Sequence, residues 1–166
     1  MIERTTPFPI PERALLELPP ARLAAIAISS IRRVYDIELD FSLASLSRLD
    51  ALLSERFRRG QYDAKNFPST LALTIGVYLG ELLRREIDGG EWGQQIENLY
   101  ATPLPFLLFS RGEYERQINV VEDILTLLWR GQGAFAIDYF YRQYRHLQRL
   151  GFIAPEKPEP HAGSVK

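Results

Sequence analysis

A glutamate lies within the most apolar segment of the chain. Glu81 follows Gly80 in a run of aliphatic and aromatic residues from Leu71 to Leu83. A carboxylate buried there needs a partner, because an isolated buried charge is costly. Arg84 and Arg85 lie three and four residues later, and either guanidinium reaches Glu81 along the same helix face.

Two interpretations of Glu81 are open. In the functional one, it is a general base or ligand anchor with a perturbed pKa, and it lines a pocket with Arg84, Arg85 and Trp92. In the structural one, Glu81 is a hydrogen-bond acceptor that ties down the following loop through the indole of Trp92 or the backbone of residues 89–90. The structural interpretation is favoured, because no second carboxylate or histidine is spaced to cooperate with Glu81. We therefore assign no catalytic residue.

The residues around Glu81 form a pattern. Tyr78-Leu79-Gly80-Glu81 is followed by Arg84-Arg85 and then by Gly89-Gly90-Glu91-Trp92. This segment resembles a signature of small uncharacterised bacterial proteins, which runs Y-L-G-E, a basic pair, G-G, one residue and W. Residues 45–50 are similar to the leucine and aspartate segment that often precedes it, and the match covers about residues 45–110. The resemblance implies a bacterial helical domain of unassigned function.

Aromatic and basic residues interleave near the C-terminus. Tyr139, Arg142, His146 and Arg149 recur at i, i+3, i+7 and i+10, which places them on one helix face. Such a face can bind phosphate, nucleic acid or an acidic protein. Basic residues near a helix C-terminus also interact favourably with the helix dipole, and this simpler interpretation is favoured because three other predicted helices end in the same way.

Surplus aromatic residues indicate an interaction surface. Residues 139–141 are consecutive aromatics that point in different directions, so they cannot all face one core. Tyrosine and tryptophan outside a core are favoured at protein interfaces. The candidate interaction residues are Trp129, Phe135, Tyr139, Tyr141, Arg142, His146 and Arg149. These residues are predicted to form a homodimer interface or to contact another protein. Aromatic residues covered by the N-terminal arm would give the same pattern.

Hydrophobic periodicity predicts a mainly α fold with about five helices around a central apolar helix. The helices are expected at about 20–35, 42–59, 66–88, 113–130 and 134–150. The third is apolar on nearly every side, which is typical of a buried helix. Gly76 and Gly80 lie on one face of it, and each costs about 1 kcal/mol of helix propensity relative to alanine. That cost predicts close packing by another backbone or an aromatic side chain.

A small β-hairpin is expected after the central helix. Its stretches are residues 91–97 and 104–109, and Pro103 and Pro105 restrict the second to an edge strand or a loop. Prolines crowd residues 1–19, which predicts an extended arm. Residues 154–166 have the composition of a disordered tail. Residues 20–153 between them are predicted to form a single helical domain.

Composition excludes several classes of protein. The 166 residues include no cysteine, which removes disulfides, thiolate nucleophiles and thiolate metal sites. The net charge of −1 argues against binding to nucleic acid or an anionic membrane. No apolar stretch approaches the roughly 20 residues of a membrane span, and no secretory signal is visible, so a cytoplasmic protein is expected. His146, His161 and acidic pairs such as Glu122-Asp123 match no zinc or calcium spacing, so neither metal nor cofactor is predicted.

These observations lead to three hypotheses of different class. The first is a non-enzymatic cytosolic interaction protein that self-associates or docks a protein partner through its aromatic C-terminal helices. The alternative is a small-molecule-binding protein or enzyme with a pocket around Glu81, Arg84, Arg85 and Trp92. An enclosed, fully paired Glu81 argues against the alternative, whereas an open pocket favours it. Nucleic-acid binding by the last helix is a third hypothesis.

Overall fold

The computed structural model describes residues 18–63, 67, 69–95 and 103–153. Their helices are α1 (Pro20–Tyr35), α2 (Leu43–Arg58), α3 (Ser69–Glu86), α4 (Val120–Trp129) and α5 (Ala136–Arg149), and their strands are β1 (Gly90–Gln95), β2 (Leu104–Arg111) and β3 (Tyr114–Ile118). The described residues are thus mainly helical with a small antiparallel sheet. All but the last two residues of the predicted arm, and the whole predicted tail, lie outside the described residues.

Local sequence signals set the ends of the first two helices. α1 begins at Pro20, whose fixed φ suits a first helical turn. It ends at Asp36, which adopts a left-handed conformation with φ 57° and donates its backbone N–H to the carbonyl of Arg32. Ser42 caps α2, since its hydroxyl accepts the backbone N–H of Ser45 at 3.1 Å. The predicted positions of both helices are confirmed.

α3 forms the centre of the core. Every residue from Leu71 to Leu83 is buried, as its apolar pattern predicts. The helices α1, α4 and α5 and the strands β1 and β2 all pack on α3. A Cβ on Gly76 would lie 3.1 Å from the Cα of Val121, so this glycine lets the backbone of α4 approach closely. The close packing predicted for this glycine is therefore confirmed.

Within the described ranges the sheet contains three strands, whereas two were predicted. β2 lies between β1 and β3, and both neighbours are antiparallel to it. Leu107 of β2 pairs with Trp92 on one side and with Ile118 on the other. Pro105 lies where β2 has a single neighbour, because β3 pairs with β2 only from Leu107 onwards. The missing proline N–H is tolerated in that half of the strand. The predicted edge position of this stretch was nevertheless wrong, because β2 is the central strand of the sheet.

The predicted start of the fourth helix was wrong. Residues 114–118 form β3, and the helix begins at Val120. Gly112, with φ 60°, is the first of two loop residues between β2 and β3, a position at which hairpin turns require positive φ. Four of the five β3 side chains are exposed, and only Ile118 is buried. The strand therefore carries no apolar alternation by which its sequence would distinguish it from a helix.

A carboxylate of α2 caps the N-terminus of α5. Phe135, at the cap position, makes no capping hydrogen bond with its side chain. Asp50 instead accepts the backbone N–H groups of Phe135 at 2.8 Å, Ala136 at 2.6 Å and Ile137 at 3.1 Å. These amides have no acceptor within the helix, and the negative charge faces the positive end of the helix dipole. One side chain thereby fixes the position of α5 against α2.

We predict that Asp50→Ala lowers the free energy of unfolding by about 2 kcal/mol, at the upper end of the range for a lost helix cap. Three backbone amides lose their acceptor in this variant. Urea denaturation measures the change. Asp138→Ala is the control, since it removes an exposed carboxylate of α5 that pairs with Arg142, and it should cost less than about 0.5 kcal/mol. Equal losses in the two variants would contradict the assigned role of Asp50.

Candidate functional site

Glu81 is buried and its carboxylate is occupied by protein donors. Its side chain is 6% exposed. Oε1 accepts Nε of Arg84 at 2.8 Å and Nε1 of Trp92 at 2.7 Å, and Oε2 accepts Nη2 of Arg84 at 3.2 Å. The hydrogen bond from the indole that the structural interpretation predicted is therefore confirmed. Glu81, Arg84 and Trp92 form one cluster between α3 and β1.

Gly80 makes room for this cluster. A Cβ on Gly80 would lie 2.3 Å from Cη2 of Trp92, so the indole rests directly on the backbone of α3. The aromatic contact predicted for Gly80 is thereby confirmed. Because Trp92 belongs to β1, this contact and its hydrogen bond to Glu81 hold the sheet against the central helix.

The two glycines after α3 let the sheet begin close to this helix. Gly89 has φ 87°, and a Cβ there would lie 2.8 Å from the carbonyl oxygen of Ser110. A Cβ on Gly90 would lie 2.8 Å from Cε1 of Phe109. Both positions therefore need glycine for β1 to approach β2 at the point where the sheet begins.

Arg85 belongs to a different cluster. Its guanidinium lies 3.5 Å from the centroid of the Phe41 ring, and this ring stacks on that of Tyr78 with the centroids 5.0 Å apart. The Tyr78 hydroxyl accepts the backbone N–H of Phe41 at 2.6 Å and lies 2.9 Å from Oγ of Ser45. Of the four residues predicted to surround a pocket, the structure brings three together and directs the fourth towards the start of α2.

The electrostatics of Glu81 favour the carboxylate form. Burial raises its pKa, but the hydrogen bonds from Arg84 and Trp92, together with the charges of Arg84 and Arg85, outweigh burial, so the pKa lies below that of an ordinary glutamate. A general base works best when its pKa is near the operating pH. The geometry and the charge of Glu81 therefore support a structural role.

The predicted interaction residues divide into buried and exposed groups. Phe135 and Tyr139 are 1% and 5% exposed, so contrary to expectation they offer no contact surface to a partner. Both pack in the core, which their spacing in the sequence did not reveal. Trp129 of α4 is partly buried. Of the other four, Arg142 and Arg149 are exposed, whereas Tyr141 and His146 are partly buried.

Three arginines lie close together on α5. Arg142, Arg145 and Arg149 follow at i, i+3 and i+7, and Arg142 pairs with Asp138. The guanidinium of Arg145 lies 5.7 Å from the centroid of the Tyr141 ring. No carboxylate among the described residues pairs with Arg145 or Arg149.

His146 lies on the side of α5 that carries Tyr139. Burial lowers the pKa of its imidazole, and the positive charges of Arg116 and Arg149 lower it further. The neutral imidazole is therefore favoured at neutral pH, and the positive charge of this part of the molecule comes from arginine.

A cleft of about 410 Å³ lies between α4 and α5. It is lined by Glu122, Asp123, Thr126, Leu127, Arg130, Tyr139, Arg142 and Gln143. The buried Tyr139 hydroxyl donates to Oδ2 of Asp123 at 2.6 Å. Burial raises the pKa of Asp123, and the hydrogen bond from Tyr139 opposes this effect without reversing it.

From the sequence, Asp123 was a candidate only as an oxygen ligand for a metal, and its place in a cleft was not predicted. The available signal was an aspartate in the first turn of a strongly apolar helix. Among the described residues, no three His, Cys, Asp or Glu side chains are grouped closely enough to hold a metal ion. The helices of the described ranges include none with the length and apolarity to cross a membrane.

We predict that Gly80→Ala destabilises the protein, although helix propensity alone would favour alanine by about 1 kcal/mol. The new Cβ overlaps the indole of Trp92, and overpacking typically costs about 1–3 kcal/mol. We expect a net loss of about 1 kcal/mol and a red shift of Trp92 fluorescence, measured in a Trp129→Phe background that leaves one tryptophan. A more stable variant with unchanged emission would show that the indole does not depend on Gly80.

The pH dependence of stability tests the opposite pKa shifts of Glu81 and Asp123. The lowered pKa of Glu81 gives a contribution that is full above the ordinary glutamate pKa of about 4.3 and is lost as the pH falls through the folded-state pKa. The raised pKa of Asp123 gives a contribution that is full below the ordinary aspartate pKa of about 3.9 and is lost as the pH rises through the folded-state pKa.

In urea denaturation across the acid range, Glu81→Gln should therefore reduce the loss of stability on acidification, and Asp123→Asn should increase it. The two variants serve as controls for each other, because each removes one carboxylate of opposite shift. Changes of the same sign in both would contradict the assigned environments.

No protein-family model, curated protein or solved structure matches the chain. The resemblance carried by residues 45–110 stays a prediction, and the function is argued from the geometry.

Proposed function

We propose that the protein is a non-enzymatic interaction protein that binds an acidic protein partner through the outer surface of α5. This α5 outer surface consists of Tyr141, Tyr144, Arg145 and Arg149. The observation that carries the proposal is the presence of two arginines without carboxylate partners in the described structure, beside two partly exposed tyrosines. Tyrosine and arginine are enriched among the residues that dominate binding energy at interfaces.

The side chains of this surface are partly ordered before any partner binds. Tyr144 stacks on Phe140 with their ring centroids 5.8 Å apart, and Arg145 lies over the ring of Tyr141. Less side-chain entropy is lost on binding when the contact groups already hold their positions. Guanidinium groups in such positions are suited to bidentate hydrogen bonds with carboxylates.

Charge favours a different protein over a second copy of this chain. In a two-fold symmetric dimer the same patch contributes from both subunits. Arg145 and Arg149 would then approach the same arginines of the second copy, and like charges repel. An acidic partner complements them, even though the whole chain carries a formal charge of only −1. Docking to another protein is therefore the form of the interaction hypothesis that the geometry favours.

The alternative pocket around Glu81 has less support. Arg84 and Trp92 already donate to the carboxylate oxygens of Glu81, and Arg85 lies on Phe41. A ligand would have to displace these internal contacts before it reached the carboxylate. A cytoplasmic location for the protein and its partner stays a prediction of the sequence.

The proposal predicts binding to an acidic polypeptide. Fluorescence anisotropy of labelled poly-L-glutamate, titrated with the full chain at low and near-physiological salt, measures it. The double variant Arg145→Glu, Arg149→Glu should weaken binding at least about tenfold, because juxtaposed like charges are strongly unfavourable. The matched control is Arg32→Glu, Arg33→Glu, which reverses two exposed arginines in the last turn of α1 and should change affinity less than about twofold.

Any one of the following results would overturn the proposal. The first is no binding at low salt, or equal weakening by the test and control variants. The second is tighter binding of a duplex DNA or RNA at the same salt, lost in the α5 variant, which would assign the surface to nucleic acid. The third is a concentration-dependent dimer, seen by light scattering, that charge reversal on α5 dissociates.

A further inference from the structure

We propose that the cleft between α4 and α5 binds a small zwitterion of the size of an amino acid or a dipeptide. The cleft has a volume of about 410 Å³, within the range of small-molecule sites. It is a separate site from the α5 outer surface, since Tyr141, Tyr144, Arg145 and Arg149 do not line it.

Asp123 supplies the binding group for an ammonium. Its Oδ2 accepts the hydroxyl of Tyr139, and no group of the described residues donates to Oδ1. Because Tyr139 is only 5% exposed, its hydrogen bond holds the carboxylate in one orientation. Asp123 is partly buried, and a ligand ammonium provides a charged donor to Oδ1. Burial and the negative charge of Glu122 raise the pKa of Asp123, and the hydrogen bond from Tyr139 and the charge of Arg116 offset this only in part.

Arg130 supplies the binding group for a carboxylate, and Arg142 lines the same cleft. Arg130 follows α4 seven residues after Asp123, which is about 10 Å along the helix and on the same face. No carboxylate of the described residues pairs with Arg130. Arg142 pairs with the exposed Asp138, but its guanidinium has five N–H donors, and it lines the cleft as well.

The distribution of charge selects a zwitterion over a simple ion. Glu122 and Asp123 lie in the first turn of α4, whereas Arg130 lies beyond its last turn. A simple anion would meet the two carboxylates, and a simple cation would meet the guanidinium groups. A molecule with an ammonium at one end and a carboxylate at the other complements both. The rest of the cleft is lined by Thr126, Leu127 and Gln143.

The test compares ligands that differ by one charged group. L-leucine and L-leucyl-L-leucine are titrated into the full chain, beside isoamylamine, which lacks the carboxylate, and 4-methylpentanoate, which lacks the ammonium. Amide chemical shifts and calorimetry follow binding. We expect at least one of the two zwitterions to bind saturably, with shifts confined to residues 122–130 and 139–143. The two single-charge analogues should bind at least about tenfold more weakly, since each loses a charge-assisted hydrogen bond.

Variants locate the site. Arg130→Gln and Asp123→Asn should each weaken zwitterion binding at least about tenfold. The matched control Arg149→Gln, an exposed arginine of α5 outside the cleft, should leave it unchanged. Arg130 is exposed and lies beyond the end of α4, so its substitution is tolerated even if Asp123→Asn fails to fold.

The proposal is overturned if neither these two ligands nor any of the other common amino acids binds at about 10 mM, a concentration that detects even millimolar affinity. It is also overturned if isoamylamine or 4-methylpentanoate binds as tightly as leucine, or if Arg130→Gln behaves like Arg149→Gln. The double variant Arg145→Glu, Arg149→Glu should keep zwitterion binding. Failure of the α5 docking proposal is thus distinguishable from failure of this one.

Discussion

The contact between Trp92 and the backbone of α3 is the constraint on which the rest of the structure depends. It requires a glycine at position 80, and it brings the indole N–H to Glu81. The buried carboxylate of Glu81 is tolerated because Arg84 supplies a positive charge and further hydrogen bonds. The sheet is thereby held against α3, on which α1, α4 and α5 also pack. Gly80, Glu81 and Trp92 are therefore the residues in the sequence that determine how the sheet packs on α3.

Some features were predictable from the sequence because single residues, or apolar residues on every side of a helix, indicate them. The burial of α3 followed from its apolar residues on every side, and the contact at Gly80 followed from the cost of glycine in a helix. Ser42 marked the start of α2 by its side-chain chemistry. β3 was missed for the opposite reason. Only Ile118 of this strand is buried, so its pairing with β2 is a backbone interaction that side-chain periodicity does not record.

The candidate sites were predictable only in part, because they depend on the angles between helices. The spacing of Tyr139 and Arg142 correctly placed them near one another on α5, but it did not show that Tyr139 turns inward. That orientation follows from contacts between distant residues: Asp50 of α2 fixes the start of α5, and Asp123 of α4 accepts the tyrosine hydroxyl. The cleft exists because both α4 and α5 pack on α3. No local pattern in the sequence specifies that arrangement.

The different uses of acidic and basic residues explain why the proposed docking surface lies on α5. Asp50 and Glu81 are committed to internal hydrogen bonds, with backbone amides in one case and with Arg84 and Trp92 in the other. Their charges are therefore largely compensated within the fold. Arg145 and Arg149 have no such compensation among the described residues. A chain that is nearly neutral by composition therefore presents a local excess of positive charge on one helix. The neutral composition argues against a surface that is basic throughout, but it allows a small basic surface, because a protein interface needs charge only where the partner contacts it.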